Sequence, residues 1–353
     1  MWRLVTRGTR RLGTTVVRSR PVEALSFEQL ASESEARAFD RAVLASPSID
    51  HFCSSADWIL PAALALRPGR APFVRRGQGG YLALAVGRDH ERSWLEPLEA
   101  MWGMACPLLG EPAGALAVEA AAELAGSGAL GALPVLGCGF APGSARLDAW
   151  ARALTPRYRC GLGGSPTERV VASLAGGIDG WLSRRGAGFR RALSRAVRRG
   201  EREGVSIERL PEQLDAAAAS AAYQRLCAID ATTWKAREGV GIGASEMIDF
   251  YRVMVPRLAA RGALRLAFAR LGERDVAYIL GGVLGDTYRG LQFGYAAGLE
   301  RLSLGNLCQW NELTSLSTTR PAIQRYDLGA AYDYKRAWGE QLVSTVTLIA
   351  FPR

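Results

Sequence analysis

Between Ile323 and Gln341 the chain reads Ile-Gln-Arg-Tyr-Asp-Leu-Gly-Ala-Ala-Tyr-Asp-Tyr-Lys-Arg-Ala-Trp-Gly-Glu-Gln, which brings Asp327, Tyr332, Asp333, Tyr334, Lys335 and Trp338 close together. Carboxylates, phenols and an ammonium are groups that hold a substrate, exchange protons or face developing charge. The apolar run 323–328 stops at Gly329, a helix-permissive segment follows, and Leu342–Ala350, alternating and rich in β-branched residues, reads as a closing strand. The reactive side chains therefore fall where a strand gives way to a helix. In open α/β sheets ligands gather outside the carboxyl ends of strands, so this stretch is the candidate active-site edge. Lysine supplies a second signal. The formal net charge of +10 is almost wholly arginine, and lysine occurs only at Lys235 and Lys335. A GC-rich genome accounts for most of the arginine. Where lysine persists, the expectation is that a compact ammonium is needed in place of a planar guanidinium.

At 353 residues the chain is long for one core, and two domains of ordinary size are expected. With 48% hydrophobic and 22% charged residues, the composition is that of a soluble globular protein. No apolar run approaches the ~20 residues of a membrane helix. The segment 1–20 is basic without the apolar centre of a secretory signal, and reads as a frayed basic end first and an organellar presequence second. Six cysteines are scattered without Cys-x-x-Cys spacing, and His51 and His90 are the only histidines, so no metal site assembles from the sequence. Free thiols in a reducing cytoplasm are the expectation.

The elements that must position the candidate residues repeat. In the first half, helices at Ser32–Leu44 and Asp57–Leu60 precede strands at Pro72–Arg76, Tyr81–Val86 and Ser93–Leu98. A helix at Ala113–Ala125, a strand at Leu133–Cys138, a helix at Ser144–Leu154 and a strand at Arg169–Leu174 complete it. The second half gives a strand at Val205–Leu210, helices at Pro211–Asp230 and Glu246–Arg261, and a meander of Ala263–Leu271, Val276–Leu284 and Tyr288–Ala296. A helix at Ser303–Thr319 and the stretch described first finish it. Both halves read β-β-β-α-β-α-β, which suggests an internal duplication. The expected division is a basic segment 1–20, a first domain 21–175, an Arg-rich connecting helix 176–204, and a second domain 205–353 with the active site.

Two further features could bind phosphate. In the connecting helix, Phe189, Ala192, Leu193, Ala196 and Val197 form one apolar stripe, while Arg191, Arg195, Arg198 and their neighbours crowd the rest. It reads either as a connector docked by that stripe or as a phosphate-binding face for tRNA, a nucleotide or CoA. The run Arg301-Leu302-Ser303-Leu304-Gly305-Asn306 follows the meander and opens a helix, with Ser303 as N-cap and Gly305 admitting a ligand to the first turn.

Strand meander, Ser303-Leu304-Gly305 helix start, Asp327-Leu328-Gly329 strand end and Tyr334-Lys335 together resemble the GNAT acyltransferase superfamily. The resemblance extends to its tandem-domain branch of CelD-like proteins and Fem peptidoglycan-bridge aminoacyltransferases, and covers about Phe189 to Phe351. Thr233-Trp234-Lys235 belongs to the same pattern. The first half matches only in element order, with Asp57-Trp58 and Trp102-Gly103 as landmarks. The chain has Ser-Leu-Gly where relatives often have Ser-Pro-Gly, and lacks a clean Gln/Arg-x-x-Gly-x-Gly/Ala phosphate loop. The resemblance implies an α/β fold of two tandem GNAT-like domains, each a largely antiparallel mixed sheet flanked by helices. It implies N-acyl transfer from acyl-CoA, an acyl carrier protein or aminoacyl-tRNA to a small amine or amino sugar, without a metal. By this resemblance Lys335 would stabilise negative charge at the carbonyl or a phosphate, Tyr334 or Tyr332 would hydrogen-bond the leaving group, and Asp327 or Asp333 would take the amine proton. Arg301 and Ser303–Asn306 would hold the donor. Lys235, Arg191 and Arg195 would meet substrate, and Trp234 and Trp338 read as core first and substrate platform second. The other reading left open is a non-catalytic scaffold in polysaccharide or natural-product assembly.

Overall fold

The structure is a computed structural model describing residues 22–239, 241–318 and 323–353. The expected basic segment 1–20 lies outside the described residues. In chain order the first half comprises β1 (Glu23–Leu25), α1 (Phe27–Ala31), α2 (Glu33–Ala45), α3 (His51–Ser54), α4 (Ala56–Pro61), β2 (Pro72–Arg76), β3 (Gly80–Arg88), β4 (Ser93–Pro97), β5 (Leu108–Gly110), α5 (Ala113–Gly126), β6 (Val135–Phe140), α6 (Ala145–Leu154) and β7 (Tyr158–Ser173). Then come α7 (Gly177–Ser183), α8 (Ala187–Arg202), β8 (Val205–Arg209), α9 (Ala216–Asp230), α10 (Trp234–Arg237), α11 (Met247–Ala260), β9 (Leu264–Leu271), β10 (Arg274–Leu284), β11 (Thr287–Tyr295), α12 (Leu304–Thr318), β12 (Arg325–Ala330) and β13 (Gln341–Pro352). This is the mixed, largely antiparallel α/β architecture expected.

The strands form one sheet in the order β1-β2-β3-β4-β6-β13-β7-β12-β11-β10-β9-β8, with β5 paired to β3. Among the described residues only β4 with β6 and β11 with β12 run parallel. Strand order is where the chain departs most from a reading in sequence order. The last strand, β13, lies between β6 and β7, so residues after Gln341 close the sheet of residues before Ser173. The ladder from Gln341↔Val171 to Pro352↔Tyr158 also pins 158–168 as strand, although its Gly-Leu-Gly-Gly-Ser-Pro sequence resembles a loop. One core cluster joins the halves. Trp58 of α4 meets Phe250 of α11 edge-on at 5.3 Å, and Leu348 of β13 belongs to the same cluster.

The polar segment after Gly329 is not the expected helix. It is a single 3₁₀ turn, Asp333–Ala337, held by Lys335 N–H to Tyr332 O (2.9 Å) and Trp338 N–H to Lys335 O (2.9 Å). The chain must enter β13 at Gln341, which leaves room for one turn. In the first half, the segment after β4 packs back over β6: a Cβ at Gly139 would lie 2.5 Å from the Met104 carbonyl oxygen. Met104, Ala105 and Cys106 are buried there.

Because β13 sits inside the sheet, its removal should unfold the molecule rather than trim an edge. Scanning calorimetry of the full chain should give one transition, and a chain ending at Glu340 should give none. A truncated chain that kept a cooperative transition would show that β6 and β7 hold without it.

Candidate active site

The parallel ladder between β11 and β12 is short, running only from Thr287↔Arg325 to Arg289↔Asp327. Beyond it the strands part. On its other side β12 pairs with β7, and its register shifts between Asp327 and Ala330, a bulge centred on Leu328 and Gly329. Gly329 has φ +75°, a left-handed conformation that a side chain would strain, and this lets its N–H return to Asp327 Oδ1 at 2.8 Å. The parted strands open a cavity of about 460 Å³ lined by Trp234, Lys235, Gly290–Phe293, Gln309, Tyr326, Leu328, Tyr332, Tyr334 and Lys335.

Both lysines of the chain line this inner cavity. Lys335 Nζ donates to the Leu328 carbonyl at 2.6 Å and lies 5.1 Å from the centre of the Tyr332 ring. Burial, the Arg289 charge and the Lys235 charge push the Lys335 ammonium down to about 8, against an opposing pull from Asp327. Lys235 Nζ donates to the Phe293 carbonyl (2.9 Å) and Gln292 Oε1 (3.3 Å), and burial lowers its pKa too. The Tyr332 and Tyr334 rings are parallel within 4° at 6.3 Å, and burial followed by the Tyr332 neighbour pushes the Tyr334 phenol up to about 12. Trp234, expected in the core, is 45% exposed and forms part of the wall.

An outer cavity of about 360 Å³ adjoins the first, sharing Phe293, Gln309 and Tyr334 with it. Phe189, Tyr295, Ser303, Gly305, Asn306, Ala337 and Trp338 complete its lining. It thus reaches the start of α12, where the Asn306 N–H bonds the Ser303 carbonyl at 3.0 Å and the Leu304 and Gly305 N–H groups precede the helical ladder. Two details differ from expectation. Ser303 has φ +55° rather than the extended backbone of a side-chain N-cap. The space beside Gly305 is taken by Phe293, whose ring would be 3.0 Å from an added Cβ, so the glycine admits that ring. Trp338 is buried against Trp181 and Phe189, with its backbone oxygen accepting from Trp181 Nε1 at 3.1 Å.

Residues 187–336 match the family described as acetyltransferase (GNAT) domain. This part of the chain is a GNAT domain. No curated protein matches the chain in sequence. Among solved structures, FemX superposes with a TM-score of 0.63 at 11% identity, over 95% of this chain and 98% of that one. The C-terminal domain of a putative lysylphosphatidylglycerol synthetase from Agrobacterium fabrum gives 0.56 at 12% identity, over 90% and 92%. The L-PGS of Bacillus licheniformis gives 0.53 at 11%, over 91% and 92%. At these identities the likeness is one of fold.

Within the GNAT domain the other expected residues separate. Leu304 is buried in the helix, and Arg301 lies outside both cavities, pairing with Glu203 at 3.4 Å. Arg191 and Arg195 lie on the exposed face of α8, outside both cavities. The apolar stripe docks α8 through Leu193 and Ala196, with Gly200 against Leu307, whereas Ala192 faces outward. Asp333 is fully exposed and 3.8 Å from Arg336. Asp327 does not line the cavity. It is 3% exposed, bonds Arg169, and stands 3.0 Å from Arg289 Nη1. Asp50, which no sequence feature singles out, joins the same cluster at 3.0 Å from Arg289 and 3.2 Å from Arg169. Burial alone would raise the Asp50 pKa, but the two arginines hold it at about 2. Phe293 and Gln309 also lie outside the expected set, although a glutamine in the otherwise apolar face of a helix is a usable signal. Among the described residues no group of three His, Cys, Asp or Glu side chains is placed to hold a metal, and no helix is long and apolar enough to cross a membrane.

Asp327 is therefore placed to neutralise buried arginines rather than to take a proton. Asp327→Asn should lower unfolding stability by about 3–5 kcal/mol, because breaking a buried pair leaves charge uncompensated. Urea unfolding checks this, and an unchanged midpoint would contradict the assignment.

Proposed function

We propose that this protein transfers an acyl group from an acyl-CoA, or from the thioester of an acyl carrier protein, to the amine of a small molecule. The observation that carries the reading is the meeting of two cavities at Phe293, Gln309 and Tyr334, one reaching a helix N-terminus and the other holding both lysines. A phosphorylated carrier lying along the outer cavity, with its phosphates near the start of α12, would direct its acyl group between β11 and β12. The amine would then approach from the inner cavity, and holding both reactants there supplies much of the rate.

In this reaction the amine nitrogen attacks the thioester carbonyl, a C–N bond forms, and an electron pair moves onto oxygen. Collapse breaks the C–S bond and expels the thiolate, giving amide and thiol. Lys335 faces the oxyanion as a cation. Tyr334, neutral near pH 7, donates to the departing sulfur, with Tyr332 stacked beside it. No carboxylate is among the residues lining the inner cavity. The proton lost by nitrogen therefore passes to solvent, in place of the roles that the resemblance implies for Asp327 and Asp333.

A positioned cation facing an oxyanion contributes on the order of 3 kcal/mol, or about a hundredfold. Lys335→Ala should fold, by circular dichroism, yet lose about two orders of magnitude in kcat, with Lys335→Arg recovering part. The pH dependence follows from the sign of the shift. Lys335 acts as an ammonium and releases its proton near 8, so kcat/KM, corrected for ionisation of the acceptor, should hold below that pH and fall above it. In Lys335→Arg the alkaline fall should vanish. A Lys335→Ala enzyme within a fewfold of wild type would move the chemistry elsewhere. Gly305→Glu, by displacing Phe293 and placing a carboxylate at the start of α12, should abolish donor binding measured by calorimetry. Incubation with a panel of acyl-CoAs and charged tRNAs, read by product mass, tests the reading as a whole.

A second reading, aminoacyl transfer from charged tRNA, is favoured by one observation. Arg190, Arg191, Arg195 and Arg198 form an exposed face of α8 with no ion pair among the described residues, and Phe189 of the same helix lines the outer cavity. If tRNA is the donor, changing Arg191, Arg195 and Arg198 to Ala should lower the log–log salt slope of binding by roughly 0.7–0.9 for each phosphate no longer neutralised. An unchanged slope and full activity would leave α8 a connector.

A further inference from the structure

The inner cavity carries two ammonium groups and no counter-charge. None of its lining residues is Asp or Glu. The nearby carboxylates are engaged elsewhere: Asp230 accepts from the Tyr278 hydroxyl and the Ile242 N–H, both at 2.7 Å, and Asp327 is held by Arg169 and Arg289. An ammonium has three donors. Lys235 uses two, on Gln292 and Phe293, and Lys335 one, on Leu328. Three N–H bonds, one from Lys235 and two from Lys335, have no acceptor among the described residues. Charge taken out of water without a partner is unfavourable, and an anion entering beside it reverses the penalty.

We infer that the acceptor in the acyl transfer proposed above carries a carboxylate beside its amine, with Lys235 as the counter-ion and Trp234, Tyr332 and Tyr334 as the walls against its apolar body. Three arguments select this class. In the reading above Lys335 serves the acyl carbonyl, so one positive charge remains for the acceptor, which matches a monoanion rather than a phosphate carrying nearly two charges. The chain, rich in arginine, places none in this lining, although arginine is the residue suited to bidentate phosphate recognition. The half-exposed aromatic faces of Trp234, Tyr332 and Tyr334 suit an apolar group better than a hydrated sugar. Together they fit an amino acid, or a small molecule ending in one. The inference rests on the acyl-transfer reading for the word acceptor, but the binding it describes can be measured without any donor.

The two lysines make the measurement direct. Protein prepared with lysine labelled with ¹³C at the ε carbon, without a lysine-containing tag, should give two side-chain signals, assigned with Lys235→Arg and Lys335→Arg. A pool of common L-amino acids should shift the Lys235 signal saturably and raise its titration midpoint, while the matched pool of amino acid amides should not. Deconvolution of the active pool and calorimetry with its best member should then show at least about a tenfold weaker Kd in Lys235→Gln, the scale of a charged hydrogen bond. Equal shifts from acids and amides, a silent Lys235 with both, or a response to O-phosphoethanolamine alone would overturn the assignment. If the acid pool binds but no thioester or charged tRNA yields product, the acyl-transfer reading fails and the anion pocket stands. Efficient transfer to amides with Lys235 silent would do the reverse.

Discussion

Asp50, Arg169, Arg289 and Asp327 come from four different parts of the fold: the residue before α3, and strands β7, β11 and β12. Each is at most 5% exposed. Such a group of charges is tolerable in the interior only when every member is paired, because the loss of one leaves another without compensation. The cluster therefore demands that the first half of the chain, which supplies Asp50 and Arg169, and the second, which supplies Arg289 and Asp327, be assembled in one arrangement. It also sits at the last rung of the β11–β12 ladder, Arg289↔Asp327, and so fixes where the strands begin to part. Met104 and Trp58 close over Arg289, at 3.1 Å and 5.7 Å, keeping it dry.

The same cluster acts, after burial, on the charge of Lys335 in the cavity beyond it. Arg289 is among the causes that depress the Lys335 pKa, and Asp327 partly opposes it. The chain thus divides its cations by chemistry. Arginine, which stays charged and presents a rigid fork, is used where charges are buried in permanent pairs. Lysine is used at the two positions that open on a cavity, each with its pKa lowered first by burial. The outer cavity reaches the start of α12, and a helix start can meet an anion through backbone N–H groups without a charged side chain.

Much of this is legible in the sequence because it is local. Lys235 and Lys335 stand out against an arginine background, and the meander and the Gly329 strand end carry their own turn signals. What escapes is non-local. Asp327 looks like a reactive carboxylate at a strand edge until Arg169 is brought beside it from 158 residues away. The insertion of β13 between β6 and β7 leaves no trace in the alternation of β13 itself, since strand order is decided by packing of the whole sheet. Trp234 reads as core because a tryptophan's size favours burial on average, whereas this one lies at the start of a four-residue helix on the cavity rim. The polar segment after Gly329 has helical composition but too little chain before Gln341 to use it.

If the acyl donor enters where β11 and β12 part, a non-transferable thioether analogue of acyl-CoA should be caught there. The decisive measurement is a crystal structure of the protein with that analogue bound. The expected result is a pantetheine arm passing between Phe293 and Tyr334, its phosphates at the start of α12, and its acyl end within hydrogen-bond reach of Lys335. An analogue bound elsewhere, with the parted strands and both lysines untouched, would contradict this placement of the donor.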